Sequence, residues 1–67
     1  VTPTQLLREI RLQSARRRLR VADPHSSTVA SIAHESGFAH VGRFSTAYAQ
    51  RFGEYPAVTL RGAAVAG

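Results

Sequence analysis

The 67-residue sequence contains no cysteine, so it has neither disulfides nor thiolate ligands for a metal ion. Helix packing must therefore stabilise a chain that is long enough for only one small domain. No apolar run approaches the roughly 18 to 20 residues needed to cross a bilayer, and the N-terminus lacks the pattern of a signal peptide. We expect a soluble, cytoplasmic protein with no membrane partner.

Patterns for catalysis and for metal binding are also missing. The three histidines, His25, His34 and His40, lack the i, i+4 spacing that places two ligands on one helix face. No segment resembles a nucleophile elbow, a phosphate-cradling loop or a paired-carboxylate site. We therefore expect no enzyme activity, no cofactor and no metal ion.

Positive charge is abundant and unevenly distributed. All nine basic side chains are arginine, against four acidic ones, which gives a formal net charge of +5, and five of the nine fall between Arg8 and Arg18. Guanidinium groups bind phosphate bidentately and displace condensed counterions, so this distribution favours a phosphate-bearing partner. A solvated helix face is the alternative explanation, and charge alone does not identify DNA.

The spacing of apolar residues predicts an all-α fold that begins with a long helix over about residues 3–21. Thr2 is suited to the N-cap and Pro3 to the first helical position. At about 100° per residue, this helix has two apolar faces on nearly opposite sides. The first face comprises Leu12, Ala15 and Leu19, and the second comprises Leu6, Leu7 and Ile10. A helix in a small bundle with a single core needs only one apolar face. We therefore expect the second face to pack against a domain outside this chain, or to be covered by the last segment folding back over it.

Residues 28–52 have the pattern of two short helices joined at a glycine. Thr28 is suited to cap the first helix, Gly37 ends it, and the second helix spans about residues 40–52. Its large apolar side chains fall within a sector of about 80°: Val41, Phe44, Tyr48 and Phe52. The opposite face carries Gly42, Arg43, Thr46, Ala49 and Gln50. This is the pattern of a helix-turn-helix, whose second helix enters the major groove of DNA. A closing helix is expected over about residues 56–62, starting at Pro56.

The order and spacing of these residues resemble the second half of the C-terminal DNA-binding domain of AraC/XylS-type bacterial transcription regulators. The matching segments are Thr2-Pro3-Thr4-Gln5-Leu6-Leu7, Arg11-Leu12 with Ala15-Arg16, Ile32-Ala33, Gly37-Phe38, Phe44-Ser45, and Arg51-Phe52-Gly53 with Pro56. The resemblance implies two helix-turn-helix units joined by a long helix. Residues 3–21 would be that connector helix, residues 28–52 the second unit, and the second apolar face would have met a missing first unit.

Two positions depart from the family's pattern. Ser31 stands where the family often has an acidic residue, which we expect to remove a partner in a capping box and to loosen the start of that helix. Val41 and Gly42 stand where the family commonly has polar side chains. Because Gly42 has no side chain to offer, base reading is expected to shift towards Arg43 and Thr46.

The resulting hypothesis is sequence-specific DNA binding as part of a transcription regulator, with helix 40–52 in the major groove. Base contacts are predicted at Arg43, whose guanidinium matches the O6 and N7 acceptors of guanine, at Thr46 and at Gly42. Contacts to the DNA backbone are predicted for His40, Gln50, Arg51, Arg16 and Arg17. His40 has helix capping as its alternative role, and each of these residues has the alternative of a solvated surface position.

Double-stranded DNA is the expected partner. The resemblance further implies RNA polymerase, an upstream helix-turn-helix unit and a companion effector domain as partners. The alternative function is a protein-interaction or self-association module that uses the apolar face of Leu6, Leu7 and Ile10.

Overall fold

A computed structural model describes the backbone of residues 2–66 and the side chains of residues 2–62. Four α-helices make up the fold in this part of the chain. Helix α1 spans Pro3–Val21, α2 spans Val29–Glu35, α3 spans Val41–Phe52 and α4 spans Pro56–Ala66. No strand occurs in this part of the chain. The all-α fold predicted from the sequence is confirmed, and α4 is longer than the predicted closing helix. None of the described helices combines the length and the apolar character of a membrane span.

The starts of α1 and α2 are fixed by capping boxes. The Thr2 hydroxyl accepts from the Gln5 backbone N–H at 3.1 Å, and the Gln5 side chain accepts from the Thr2 N–H at 3.0 Å. At α2, the Thr28 hydroxyl accepts from the Ser31 N–H at 3.0 Å, and Ser31 Oγ accepts from the Thr28 N–H at 3.2 Å. The expectation that Ser31 removes the capping-box partner is therefore wrong. Its hydroxyl lies close enough to take the place of a longer carboxylate.

A glycine at a positive φ ends each helix of the helix-turn-helix. Gly37, at φ 97°, follows α2, and the next residue, Phe38, donates its backbone N–H to Ala33 at 2.9 Å. An added Cβ at Gly37 would lie 2.9 Å from Nε of Arg11 on α1. Gly53, at φ 79°, caps α3 and donates to the Ala49 carbonyl at 2.9 Å. The turn at Gly37 thus needs glycine for its backbone conformation, whereas the exposed Arg11 side chain could move away from an added Cβ.

All four helices contribute to one core. The buried apolar side chains are Leu12, Ala15, Leu19, Ile32, Ala33, Phe44, Ala47, Tyr48 and Leu60. Phe38 packs against them, with its ring centroid 4.8 Å from that of Phe44. Two further aromatic contacts continue this row along α3, Phe44 to Tyr48 at 5.6 Å and Tyr48 to Phe52 at 4.7 Å. The inner face of α3 is therefore locked into the protein interior.

Only one of the two apolar faces of α1 lies in this core. Leu6 is 55% exposed, Leu7 46% and Ile10 55%. Helix α4 packs against α1, yet these three side chains stay open to solvent. The alternative in which the last segment folds back over them is wrong for the part of that segment whose side chains are described, up to residue 62. The second face of α1 is an apolar surface that the described side chains leave uncovered.

Candidate nucleic-acid interface

The polar face of α3 is open to solvent. Arg43, Thr46 and Gln50 are exposed, whereas Phe44 and Tyr48 on the other side are buried. Gly42 is exposed as well, and no atom lies within 4 Å of the position a Cβ would take there. A helix with one side packed inside and a polar side free meets the geometric requirement for insertion into a groove of DNA.

The side chains on this face differ in how much hydrogen-bonding capacity they keep. Arg43 is exposed, and its guanidinium makes no hydrogen bond or ion pair with another described residue. The Thr46 hydroxyl donates to the Gly42 carbonyl at 3.2 Å. Its proton is therefore engaged within the helix, which leaves its oxygen lone pairs and its methyl group for a ligand. Thr46 is thus suited to accept a hydrogen bond or to contact an apolar group.

The two ends of the polar face carry His40 and Gln50. His40 occupies the N-cap position of α3 but makes no capping hydrogen bond with its side chain. The capping alternative is therefore not the role of its imidazole in this structure, and the side chain is exposed. Gln50 follows Arg43 by seven residues, so it points in nearly the same direction about 10.5 Å further along the helix axis.

Arg51 is held by an acidic residue of α1. Its Nε lies 2.7 Å and 3.0 Å from the two carboxylate oxygens of Glu9, and Gln13 donates to the same carboxylate at 3.1 Å. Both bonds to Glu9 use the Nε–H, and the terminal guanidinium nitrogens donate to no other described residue. Arg51 is thus an oriented cation on the α1 side of α3, with its outer nitrogens unused by described side chains.

Arg16 and Arg17, which the sequence predicts to contact the DNA backbone, point in different directions. The Arg16 guanidinium stacks over the Phe52 ring at 4.5 Å from its centroid, and that of Arg51 lies 5.1 Å from the same centroid. Arg17 follows Ile10 by seven residues, so it shares the outer apolar face of α1. The structure therefore brings Arg16 and Arg51 together at the end of α3, and it places Arg17 on the far side of α1.

Sequence reasoning missed Arg8, which lies beside the polar face of α3. Two shallow depressions run between α1 and α3, and Arg8 lines both of them. One has a volume of about 260 Å³ and is lined by Gln5, Arg8, Glu9, Leu12, Ala47, Gln50 and Arg51. The other has a volume of about 500 Å³ and is lined by Arg8, Gly42, Arg43, Thr46 and Ala47. The spacing along α1 could have indicated this position of Arg8. Arg8 extends the inward-facing row of Leu12, Ala15 and Leu19 by one turn.

The charge on this side of the molecule is largely uncompensated. Within residues 2–62, carboxylates pair with only two arginines, Arg18 with Glu35 at 3.2 Å and Arg51 with Glu9. Arg8 and Arg43 have no such partner in this range. No group of three side chains of the metal-binding types lies close enough to hold a metal ion in the described part of the chain. The arrangement can attract and orient an anion with several phosphates.

Comparisons with known proteins agree with this geometry. The helix-turn-helix domain family matches residues 1–62. The chain is 50% identical over 60 residues to a probable thc operon regulatory protein of Rhodococcus erythropolis, covering 90% of this chain and 18% of that protein. It is 38% identical over 60 residues to a XylDLEGF operon transcriptional activator of Pseudomonas putida, covering 90% of this chain and 19% of that protein. No solved structure matches the chain significantly.

Proposed function

The chain belongs to the AraC/XylS-type helix-turn-helix domain family, and we propose that it binds double-stranded DNA by placing α3 in the major groove. Domains of this family bind DNA in transcription regulators. The observation that carries the proposal is the free polar face of α3, with Arg43 and Thr46 exposed opposite a face on which Phe44 and Tyr48 are buried. In this arrangement α1, α2 and α4 form the support from which α3 projects.

Base reading is proposed for the first two turns of α3. The Arg43 guanidinium donates two hydrogen bonds to guanine O6 and N7, a pairing worth about 1 to 3 kcal/mol of discrimination against a wrong base. Thr46 offers its methyl group to thymine or its oxygen to a base amino group, since its proton is bonded to Gly42. Gly42 contributes by having no side chain, which allows the backbone to come close to the base edges.

Contacts to the DNA backbone are proposed for the cations and polar groups around α3. Arg16 and Arg51 present their guanidiniums beside Phe52, and His40 and Gln50 mark the two ends of the polar face. These contacts fix the position of the domain and carry no sequence information of their own. Arg17 lies on the opposite side of α1 and is not part of the proposed interface.

Selection from a library of randomised duplexes tests base reading by Arg43. The chain should enrich a consensus at low salt, about 50 mM, where a single reading unit binds well enough to be selected. Arg43→Ala should lose the preference at one base pair, by about tenfold to 100-fold. Arg17→Ala removes the same charge from the far side of α1 and should keep the consensus. Enrichment of no consensus, or an unchanged one for Arg43→Ala, would contradict the proposal.

We propose that the remaining partners bind a longer protein that contains this chain. This chain spans 18–19% of the length of the relatives it matches. We propose that the exposed face of Leu6, Leu7 and Ile10 packs against another helix-turn-helix unit of that longer protein. An exposed apolar patch of this kind marks a contact with a partner. An effector domain and RNA polymerase are proposed as partners of that whole protein, and the bacterial cytoplasm, where operons lie, as its location.

A further inference from the structure

One turn of α1, around Arg8 and Glu9, lies next to α3. Arg8 of α1 lines the same depression as Gly42, Arg43 and Thr46 of α3, and no carboxylate contributes to its lining. Arg8 and Arg43 therefore present two guanidiniums to one open surface, although they lie on different helices. The candidate interface therefore extends beyond α3.

The core fixes this position of Arg8. Leu12 and Ala15 are 4% and 0% exposed, which sets the rotation of α1 about its axis. Arg8 precedes Leu12 by four residues and therefore lies on the same side of α1, one turn nearer the N-terminus. At that level the side chain emerges beyond the core and is exposed to solvent.

No described side chain competes for the Arg8 guanidinium. It makes no hydrogen bond or ion pair within residues 2–62. The neighbouring carboxylate, Glu9, accepts from Arg51 and Gln13 instead. Glu9 lines only the other depression of the two. The guanidinium of Arg8 is therefore available to an anion at the surface that it shares with Arg43.

The dimensions of DNA indicate what this charge meets. An α-helix with its side chains is about 10 to 12 Å wide, and the major groove is about 12 Å wide, so a helix in the groove has a sugar-phosphate strand along each flank. The turn of α1 that carries Arg8 lies beside one flank of α3, where the two helices line a common depression. We propose that Arg8 binds a DNA phosphate on the strand that borders this flank. This inference rests on the proposed function, because it requires α3 to enter the groove.

The chemistry of such a contact differs from base reading. A guanidinium on α1 lies outside the helix that reaches the base edges, so its hydrogen bonds go to phosphate oxygens and are independent of sequence. Each neutralised phosphate releases about 0.9 of a condensed counterion from duplex DNA. Loss of Arg8 should therefore weaken binding to every duplex alike, and it should make binding less sensitive to salt.

The test is a salt titration on one short duplex of fixed mixed sequence. Binding constants are measured by fluorescence anisotropy between about 50 and 200 mM salt. Arg8→Ala should reduce the slope of log K against log salt by about 0.9, and Arg8→Lys should retain the slope because it keeps the charge. Arg17→Ala is the matched control and should leave the slope unchanged. Far-UV circular dichroism confirms that each variant is folded.

The outcomes separate this inference from the proposed function. An unchanged slope for Arg8→Ala, or a fall no larger than that of Arg17→Ala, overturns the phosphate contact, while a consensus that depends on Arg43 leaves the proposed function intact. A reduced slope without any consensus supports the phosphate contact and contradicts base reading. A changed base preference for Arg8→Ala in the library selection would overturn the inference, because it would place Arg8 on a base.

Discussion

Tyr48 anchors α3 in the core and fixes its position against α4. Its ring is fully buried between the rings of Phe44 and Phe52. Its hydroxyl shares a hydrogen bond of 2.9 Å with Thr59 Oγ1 on α4, and Thr59 in turn donates to the Glu54 carboxylate. A buried hydroxyl needs such a partner, so the pair is made only when α3 and α4 hold this relative position.

Tyr48→Phe should lower the free energy of unfolding by about 1 to 2 kcal/mol. The substitution keeps the ring and removes one buried hydrogen bond, and the Thr59 hydroxyl keeps its bond to Glu54. Urea denaturation followed by circular dichroism measures the change. Tyr55→Phe is the matched control, since Tyr55 is 59% exposed, and it should leave stability unchanged. Equal stability for both variants would show that the bond to Thr59 contributes nothing.

Single residues also show what the sequence could and could not predict. The inner face of α3 was predictable, because a period of 3.6 residues alone places Phe44 and Tyr48 on one side. The partner of Arg51 was not, because Glu9 lies 42 positions away and only the packing of α1 against the other helices brings the two together. The role of Ser31 was predicted wrongly, because a pattern based on acidic residues overlooks the reach of a serine hydroxyl.

Within the helix-turn-helix element, Gly37 and Gly42 differ in whether their positions require a glycine. Gly37 has φ 97° and lies under the Arg11 side chain. Gly42 lies within α3, with open space where a Cβ would be. The first needs glycine for the turn, whereas nothing in the folded chain requires the second.

Gly37→Ala should destabilise the domain by more than about 1 kcal/mol, because alanine is strained at a positive φ. Gly42→Ala should stabilise the domain by about 0.5 to 1 kcal/mol, because glycine inside a helix costs backbone entropy. Thermal unfolding of the two variants beside the parent chain measures both effects. A stabilised Gly37→Ala variant would contradict the role of the turn, and a destabilised Gly42→Ala variant would show that its surroundings are not open.

Across the whole molecule, the sequence predicted the elements better than their relative placement. Helix caps and apolar periods are local signals, so the all-α fold and the order of the helices followed from them. Which arginines lie near α3 depends on how α1 packs in the domain and which of its sides it turns towards α3. That is why Arg17 was included in the predicted interface and Arg8 was not. Arg8 and Arg17 lie about 180° apart around α1, so only the packing of α1 decides which of them faces α3.

Ile10 and Leu12 test whether the second face of α1 is uncovered in this chain. Ile10 is 55% exposed and Leu12 is 4% exposed, although they are two residues apart on the same helix. Ile10→Ala should change the free energy of unfolding by less than about 0.5 kcal/mol. Leu12→Ala should cost about 2 to 5 kcal/mol, close to the whole stability of a small domain. Urea denaturation measures both. A large cost for Ile10→Ala, with a midpoint that rises with protein concentration, would show that the chain covers this face by self-association.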